Sequence, residues 1–168
     1  ADVYDAVGMA WIPPELRENR GEIEAAAAND LPDLLELDDV RGDLHVHTDW
    51  SDGRESIEEM VQGAESFGHN YVCVTDHATG PGTVGGVGLD DGRLRDQQEA
   101  IRAAAETVDI DVFAGVEANI GTDGSVSVGD DVLADLDIVV ASPHAGLDGD
   151  GTDRLVAAAN HPDVDIIG

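Results

Sequence analysis

Residues 42–53 have the sequence Gly42-Asp43-Leu44-His45-Val46-His47-Thr48-Asp49-Trp50-Ser51-Asp52-Gly53. Residues two positions apart in a β-strand point to the same face, so His45 and His47 can bind one metal ion. Leu44 and Val46 face the opposite way, into an apolar layer, and the glycine and aspartates that follow are typical of a loop. The stretch therefore predicts a metal site at the end of a strand.

Strand-like apolar runs recur along the chain, at 43–47, 71–75, 112–116, 138–141 and 164–167. Helical patterns separate them at 56–67, 90–108 and 152–159, with a single turn predicted near 130–133. This alternation predicts an α/β domain with a mainly parallel sheet of about five strands. Such sheets carry their functional groups at the carboxyl ends of the strands. The polar candidates at those ends are His45, His47, Asp52, Asp76, His77, Glu117, Asn119 and His144.

The composition is strongly acidic. The 168 residues include 37 Asp and Glu but only 8 basic residues, all of them arginine, which gives a net charge of -29. The acids are interleaved with periodic apolar segments, so they indicate a folded domain with an acidic surface rather than a disordered tail. We interpret this surface as an adaptation to high salt, where the Debye length falls to about 3 Å at 1 M. A basic face for nucleic acid is not indicated.

Other features limit the class of protein. The single cysteine, Cys73, excludes an internal disulfide, and its apolar surroundings predict a buried thiol. No apolar run is long enough for a membrane span, so we expect a cytoplasmic protein with no membrane partner. Residues 1–41 bury little and form a lead-in with two short helices. The first residue is alanine, which suggests a processed chain or a piece of a longer one.

Imidazole and carboxylate ligands without thiolates favour Zn or Mn, with Fe as a third candidate. Several carboxylates in one pocket allow two or more ions to act on a phosphoester, with Glu117 as the expected bridge. Asp76 is expected to orient a ligating imidazole. Residues 79–88 are rich in glycine but lack the lysine of a phosphate-binding loop, so we predict a loop beside the metal pocket. Trp50 is either a packing residue or a platform for a base or sugar.

Four motifs in order resemble the signatures of the polymerase and histidinol phosphatase (PHP) family of phosphoesterases. They are Asp43-Leu44-His45-Val46-His47-Thr48, Thr75-Asp76-His77, Gly115-Val116-Glu117-Ala118-Asn119 and Ser142-Pro143-His144. Residues 8–18 and 21–26 resemble the junction between the polymerase core and the PHP domain of family X DNA polymerases. With the lysine-free acidic composition, a haloarchaeal member is the nearest match.

The resemblance implies a partial, distorted (β/α)7 TIM-like barrel in residues 42–168, with residues 1–41 as a junction after a polymerase core that this chain lacks. It implies up to three ions and a 3′–5′ exonuclease or 3′-phosphatase activity on DNA ends or phosphate esters, in DNA repair. His45, His47 and Glu117 would hold the first ion. The second would lie at Glu117 and His144 and the third at Asp52 and His77, with Glu117, His144 and Asp76 expected in catalysis.

The family pattern continues past Gly168 with two strands and three ligands that this chain does not include. We therefore expect an unpaired sheet edge, a possible homo-oligomer through that edge, and the first ion as the one best retained. Activity of this chain alone is in doubt. Two alternatives stay open: an amidohydrolase, which the absence of lysine disfavours, and a non-catalytic module that binds metal or a DNA end.

Overall fold

The computed structural model describes residues 2–83 and 86–168; Val84 and Gly85, in the glycine-rich segment, lie outside the described residues. The chain forms two compact units, Ala1–Asp39 and Val40–Gly168. The first unit contains helices α1 (Asp2–Ala6) and α2 (Glu22–Ala28) and two 3-10 turns, Pro14–Leu16 and Leu37–Asp39. Proline suits the start of the first turn because its missing N–H would have no partner there.

The second unit is a five-stranded sheet with helices between the strands. Its elements in chain order are β1 (Gly42–Val46), α3 (Ile57–Phe67), β2 (Tyr71–Val74), α4 (Asp91–Ala105), β3 (Asp111–Asn119), α5 (Asp130–Leu133), β4 (Ile138–Ser142), α6 (Thr152–Ala159) and β5 (Ile166–Ile167). The strands lie in the order β1-β2-β3-β4-β5, and every neighbouring pair is parallel. The sheet curls into a half-barrel, which confirms the predicted fold class.

The helix boundaries follow local capping rules. The Ser56 side chain accepts a hydrogen bond from the Glu59 N–H, and the Glu59 carboxylate accepts one from the Ser56 N–H, so the predicted capping box starts α3. The Asp90 side chain caps α4 by accepting from the Arg93 N–H at 2.9 Å. Gly68, at φ 95°, ends α3 in the left-handed conformation that glycine tolerates best. The boundaries of α3 and the start of α4 are therefore set by contacts within their own local sequence.

Strand β3 covers residues 111–119 rather than the predicted 112–116, because it pairs with two neighbours in succession. Residues 111–114 pair with β2, and residues 115–119 pair with β4. A stagger of this kind is what a sheet needs to curl toward a barrel. As a result, Glu117 lies inside the strand, 5% exposed, rather than in the loop after it.

The helices cover the sheet with apolar residues, and one helix face is unusual. The buried positions of α4 are spaced as one stripe of an amphipathic helix: Leu94, Gln97, Gln98, Ile101 and Ala104. Two of these five positions are glutamines, a residue type that is mostly exposed in proteins. Cys73 is a fully buried free thiol in β2, as predicted. None of the helices in the described part of the chain is long and apolar enough to cross a bilayer.

Candidate metal centre

Six side chains named as ligands by the sequence meet at the carboxyl ends of the first four strands. They come from β1, the loop after it, the segment after β2, strand β3 and the loop after β4: His45, His47, Asp52, His77, Glu117 and His144. The other two histidines, His69 and His161, are not in the cluster. The convergence follows from topology, since parallel strands in sequential order present their carboxyl ends at one edge.

The Glu117 carboxylate lies at the middle of the cluster. Its Oε2 is 3.4 Å from His45 Nε2, 3.3 Å from His47 Nε2 and 2.8 Å from His77 Nδ1. Its Oε1 is 3.2 Å from His144 Nε2. One buried carboxylate thus contacts four imidazoles from three parts of the chain: the end of β1, the segment after β2 and the loop after β4.

Asp52 closes the solvent side of the cluster. Its Oδ1 is 2.9 Å from His47 Nδ1, and its Oδ2 is 3.5 Å from His77 Nε2. The Nε2 atoms of His45 and His47 are 3.1 Å apart. Asp52 and His45 are the most exposed of these side chains, at 44% and 42%, and the other members of the cluster lie behind them.

Three overlapping sets of three residues have ligand atoms within 4.8 Å of one another: His45, His47 and Glu117; His47, Asp52 and His77; His77, Glu117 and His144. His47 belongs to two sets, as do His77 and Glu117, so the groups share more ligands than the family resemblance implied. The sharing places adjacent ion positions side by side, as in multinuclear hydrolytic sites.

The residues fit divalent metal ions. Buried ring nitrogens of His77 and His144, both Nδ1, have no hydrogen-bond partner among the described residues. Glu117 Oε2 approaches His77 Nδ1 to 2.8 Å, but this contact does not have the direction of a hydrogen bond. A nitrogen and oxygen donor set without thiolate suits Zn, Mn or Fe. Buried polar atoms without a hydrogen-bond partner are rare in proteins. A bound metal ion would supply the missing partner of these ring nitrogens.

Charges within the cluster shift its pKa values. The hydrogen bond to Glu117 raises the pKa of His47 to about 9, against burial and with help from Asp52. Burial tends to raise the pKa of Glu117, but the hydrogen bond from His47 and the nearby imidazoles lower it to about 2. Burial lowers the pKa of His77. The hydrogen bond with His47 lowers the pKa of Asp52. The metal-free cluster therefore holds a proton on His47 at neutral pH.

Comparison with known proteins agrees with this geometry. The family model described as "PHP domain" matches residues 43–165. The chain belongs to the PHP domain family. It is 38% identical over 170 residues to the Bacillus subtilis protein named DNA polymerase/3'-5' exonuclease PolX, which covers 99% of this chain and 29% of the relative. It is 31% identical over 134 residues to a Caldicellulosiruptor bescii protein named Probable phosphatase, covering 75% of the chain and 52% of the relative.

This PHP domain chain thus spans less than a third of the first relative and about half of the second. A third relative, named DNA polymerase III PolC-type from Streptococcus pneumoniae, is 27% identical over 124 residues, which are 73% of the chain and 8% of the relative. The predicted family resemblance is confirmed. The amidohydrolase alternative receives no support from these matches.

Asp76 differs from its predicted role. It was expected to orient an imidazole, but it is fully buried and forms no hydrogen bond with any ring of the cluster in the described structure. Its Oδ1 accepts from the N–H of Thr48, and its Oδ2 accepts from the Thr48 hydroxyl and the Gln97 amide. The reason is its position in the strand end: it alternates with His77, so one side chain enters the pocket and the other enters the core.

The structure also bears on three further predictions, those for Trp50, Asn119 and the glycine-rich segment. Trp50 packs against both main core clusters, and the Arg93 guanidinium lies 5.7 Å from its ring centroid. The packing interpretation therefore fits better than a platform. Asn119 is buried, and its Nδ2 donates to the Ala78 carbonyl at 2.9 Å, so its amide nitrogen helps to hold the strand end. In the glycine-rich segment, a Cβ at Gly82 would lie 2.5 Å from the His144 carbonyl oxygen, so this loop does flank the cluster.

The sequence missed the residues that support the cluster from behind. Thr48, Ser51 and Gln97 all donate hydrogen bonds to Asp76. Gln97 could have been noticed in the sequence as a polar residue within the apolar stripe of α4. The periodicity of that stripe does not show which group its amide contacts.

Proposed function

We propose that this chain is a metal-dependent phosphoesterase domain that hydrolyses phosphate esters at DNA ends, as a 3′–5′ exonuclease or 3′-phosphatase. The observation that carries the proposal is the position of Glu117, whose two oxygens contact four imidazoles and belong to two ligand sets. A carboxylate shared in this way is suited to hold two ions close together. Ions at such a spacing act on both the attacking and the leaving oxygen of a phosphoester.

The residues have separate roles in this proposal. Glu117 would bridge ions, and His45, His47 and His144 would bind them from three sides. Asp52 and His77 would complete the site nearest to solvent. Bound divalent ions would supply charge stabilisation and water activation, and the protein would supply their spacing. Zn or Mn suits these donors, with Fe as a third candidate.

The DNA substrate rests on the similarity to the relative named DNA polymerase/3'-5' exonuclease PolX, which extends over 99% of the chain. We propose on the same basis that residues 1–41 are a junction to a polymerase core, that 42–168 are the PHP portion, and that the parent protein acts in DNA repair in the cytoplasm. A phosphomonoesterase is the second candidate, favoured by the relative named Probable phosphatase and by a net charge of -29, which repels DNA.

We also propose that the acidic surface is an adaptation to high salt in a haloarchaeal host.

A further proposal concerns association of the chain with a second copy of itself. In the described sheet β1 and β5 are the edge strands, and the exposed Phe67 lies beside β1 in an apolar groove with Val46 and Met60. We propose that a second copy pairs along the β1 edge, which light scattering after gel filtration tests: a monomer at all concentrations contradicts it.

The decisive experiment compares wild type, Glu117→Gln and Asp49→Asn in molar KCl with added Mn²⁺. Asp49 is an exposed carboxylate in the same loop as Asp52, and its side chain does not belong to any ligand set. A 3′-labelled oligonucleotide and a 3′-phosphate oligonucleotide serve as substrates. We expect hydrolysis by wild type and Asp49→Asn and its loss in Glu117→Gln.

Three results would change the conclusion. Hydrolysis that survives Glu117→Gln would place the chemistry elsewhere. Phosphate release without shortening of the oligonucleotide would favour the phosphomonoesterase. Tight metal binding with no hydrolysis of either substrate would favour the non-catalytic module that binds metal or a DNA end.

A further inference from the structure

A buried glutamine lies on the inner face of α4, directly behind the metal centre. Gln97 is 1% exposed, and its Nε2 donates a 2.6 Å hydrogen bond to Asp76 Oδ2. Its neighbour Gln98 is also buried, at 5% exposed, but its Oε1 accepts only from Arg102, on the same helix. Of these two adjacent glutamines, only Gln97 connects α4 to Asp76, whereas the Nε2 of Gln98 has no hydrogen-bond partner among the described residues.

Asp76 accepts hydrogen bonds from two segments of the chain, the loop after β1 and helix α4. Its Oδ1 accepts from the Thr48 N–H at 2.7 Å and from the Ser51 hydroxyl. Its Oδ2 accepts from the Thr48 hydroxyl at 2.6 Å and from Gln97. A carboxylate has about four acceptor positions, so these four donors fill it.

The donors are adjacent in sequence to candidate ligands. Thr48 follows His47, Ser51 precedes Asp52, and Asp76 itself precedes His77. One carboxylate thus fixes the backbone next to every member of a single ligand set, the one made by His47, Asp52 and His77. The spacing of that set depends on whether Asp76 stays in place.

Asp76 is 0% exposed and has no cationic partner among the described residues. A buried carboxylate is tolerated only if its oxygens are hydrogen-bonded, and removal of one donor leaves a lone pair without water or partner. The carboxylate then has to move or take up water, and either change displaces Thr48 and Ser51. Gln97 is the donor that comes from a rigid helix, so it sets where the other three meet.

We propose that Gln97 is a positioning residue of the metal centre: through Asp76 it fixes the geometry of His47, Asp52 and His77. The proposal rests on the proposed function only in requiring that these three residues bind metal. Outer hydrogen bonds of this kind typically change metal affinity by about 10-fold to 100-fold when removed.

The test uses Gln97→Met and, as the matched control, Gln98→Met. Methionine keeps the length and helix propensity of glutamine but removes the amide at both positions. Each protein is stripped with a chelator and titrated with Co²⁺ in molar KCl, which suppresses weak binding to the acidic surface. The visible absorption of Co²⁺ reports the ligand geometry, and a His47→Ala, His77→Ala double variant, which removes a ligand from each of the three sets, gives the background.

We expect Gln97→Met to bind Co²⁺ about 10-fold to 100-fold more weakly, with a changed spectrum, and Gln98→Met to match wild type. Equal affinity and spectra for the two methionine variants would overturn the proposal. If wild type itself bound no Co²⁺ above the double variant, the metal centre and the positioning role would both fail.

A second variant keeps the test valid if Gln97→Met does not fold. Ser51→Ala removes another donor to Asp76 from a partly exposed loop, where the cost to folding is smaller. It should change the Co²⁺ spectrum in the same direction while the denaturation midpoint stays close to that of wild type. A wild-type spectrum in a folded Ser51→Ala protein would contradict the role of the Asp76 network.

Discussion

Replacement of Glu117 by glutamine should lower the pKa of His47 in the metal-free protein. The two side chains are 3.3 Å apart, and the hydrogen bond to Glu117 is the largest cause that raises the pKa of His47 to about 9. Glutamine has the same shape as glutamate but no charge. The variant therefore removes the negative charge, and with it the charge-assisted part of the hydrogen bond, while it keeps the packing of β3.

The size of the change follows from the distance. An opposite charge within about 4–6 Å shifts a pKa by about 1–3 units, and each unit corresponds to about 1.4 kcal/mol. Asp52 remains 2.9 Å from His47 Nδ1, so part of the increase should persist. We expect the pKa of His47 in the variant to lie between its ordinary value and 9, at least about one unit below wild type.

The same shift has a consequence for stability. Folding raises the pKa of His47 from about 6.5 in the unfolded chain to about 9. The ion pairs of His47 therefore stabilise the metal-free protein fully below pH 6.5, and this stabilisation is lost as the pH rises through about 9. The destabilisation by Glu117→Gln should therefore be largest near pH 6 and should shrink toward pH 10. A cost that grows with pH would have the wrong sign.

The assay is an NMR titration of the histidine ring protons in chelator, from pH 5 to 10, with urea unfolding at pH 6 and 9. Asp49→Asn is the control, since it removes one nearby charge from an exposed position without a contact to the rings. A His47 that titrates near 9 in Glu117→Gln, or near 6.5 in wild type, would refute the reasoning.

Three further predictions test other parts of the structure. Gly115→Ala should destabilise the protein by about 1–3 kcal/mol in urea unfolding, because the new Cβ would lie 2.6 Å from Cys73 Sγ and 2.7 Å from the Ile138 carbonyl oxygen. Gly63 lies in α3 with open space around it, so Gly63→Ala should instead stabilise the protein by about 0.5–1 kcal/mol. Equal urea unfolding midpoints for the two alanine variants would contradict both expectations. Burial raises the pKa of the Cys73 thiol to about 12, so a disulfide reagent at pH 8 should react only after denaturant is added, and fast labelling of the folded protein would count against the buried position. Calorimetry should show a melting temperature that rises between dilute buffer and molar KCl, and a constant value would disprove salt adaptation.

The ligands were predictable because they depend on local sequence plus one topological rule. The alternation of His45, Val46 and His47 marks a strand end, and parallel strands bring such ends together. No long-range contact had to be known in order to place Glu117 and His144 in the same pocket. The capping boundaries of α3 were predictable for the same reason, since the Ser56 and Glu59 pair acts within one turn.

The hydrogen bonds that Thr48, Ser51 and Gln97 donate to Asp76 were not predictable, because they depend on which buried polar groups of distant segments meet. Asp76 and Gln97 are 21 residues apart, and nothing local to either position identifies the other. Strand β3 was predicted too short for a related reason: its last residues are held by pairing with β4, whose register the sequence pattern does not fix. Contacts between distant segments therefore decide both where β3 ends and which residues support the metal centre.

The charge of the whole chain bears on the choice of substrate. Most proteins that bind DNA do so through basic residues, and their affinity falls as salt rises. In the proposed function, the net charge of -29 would repel a polyanion and salt would screen that repulsion, so the attraction for a DNA end would come from ions bound by Glu117 and the four imidazoles around it. Hydrolysis of an oligonucleotide should then increase with KCl, whereas hydrolysis of a small phosphomonoester, which carries less charge, should respond less. The direction of the salt response thus distinguishes a DNA end held by the metal centre from one held by a basic surface.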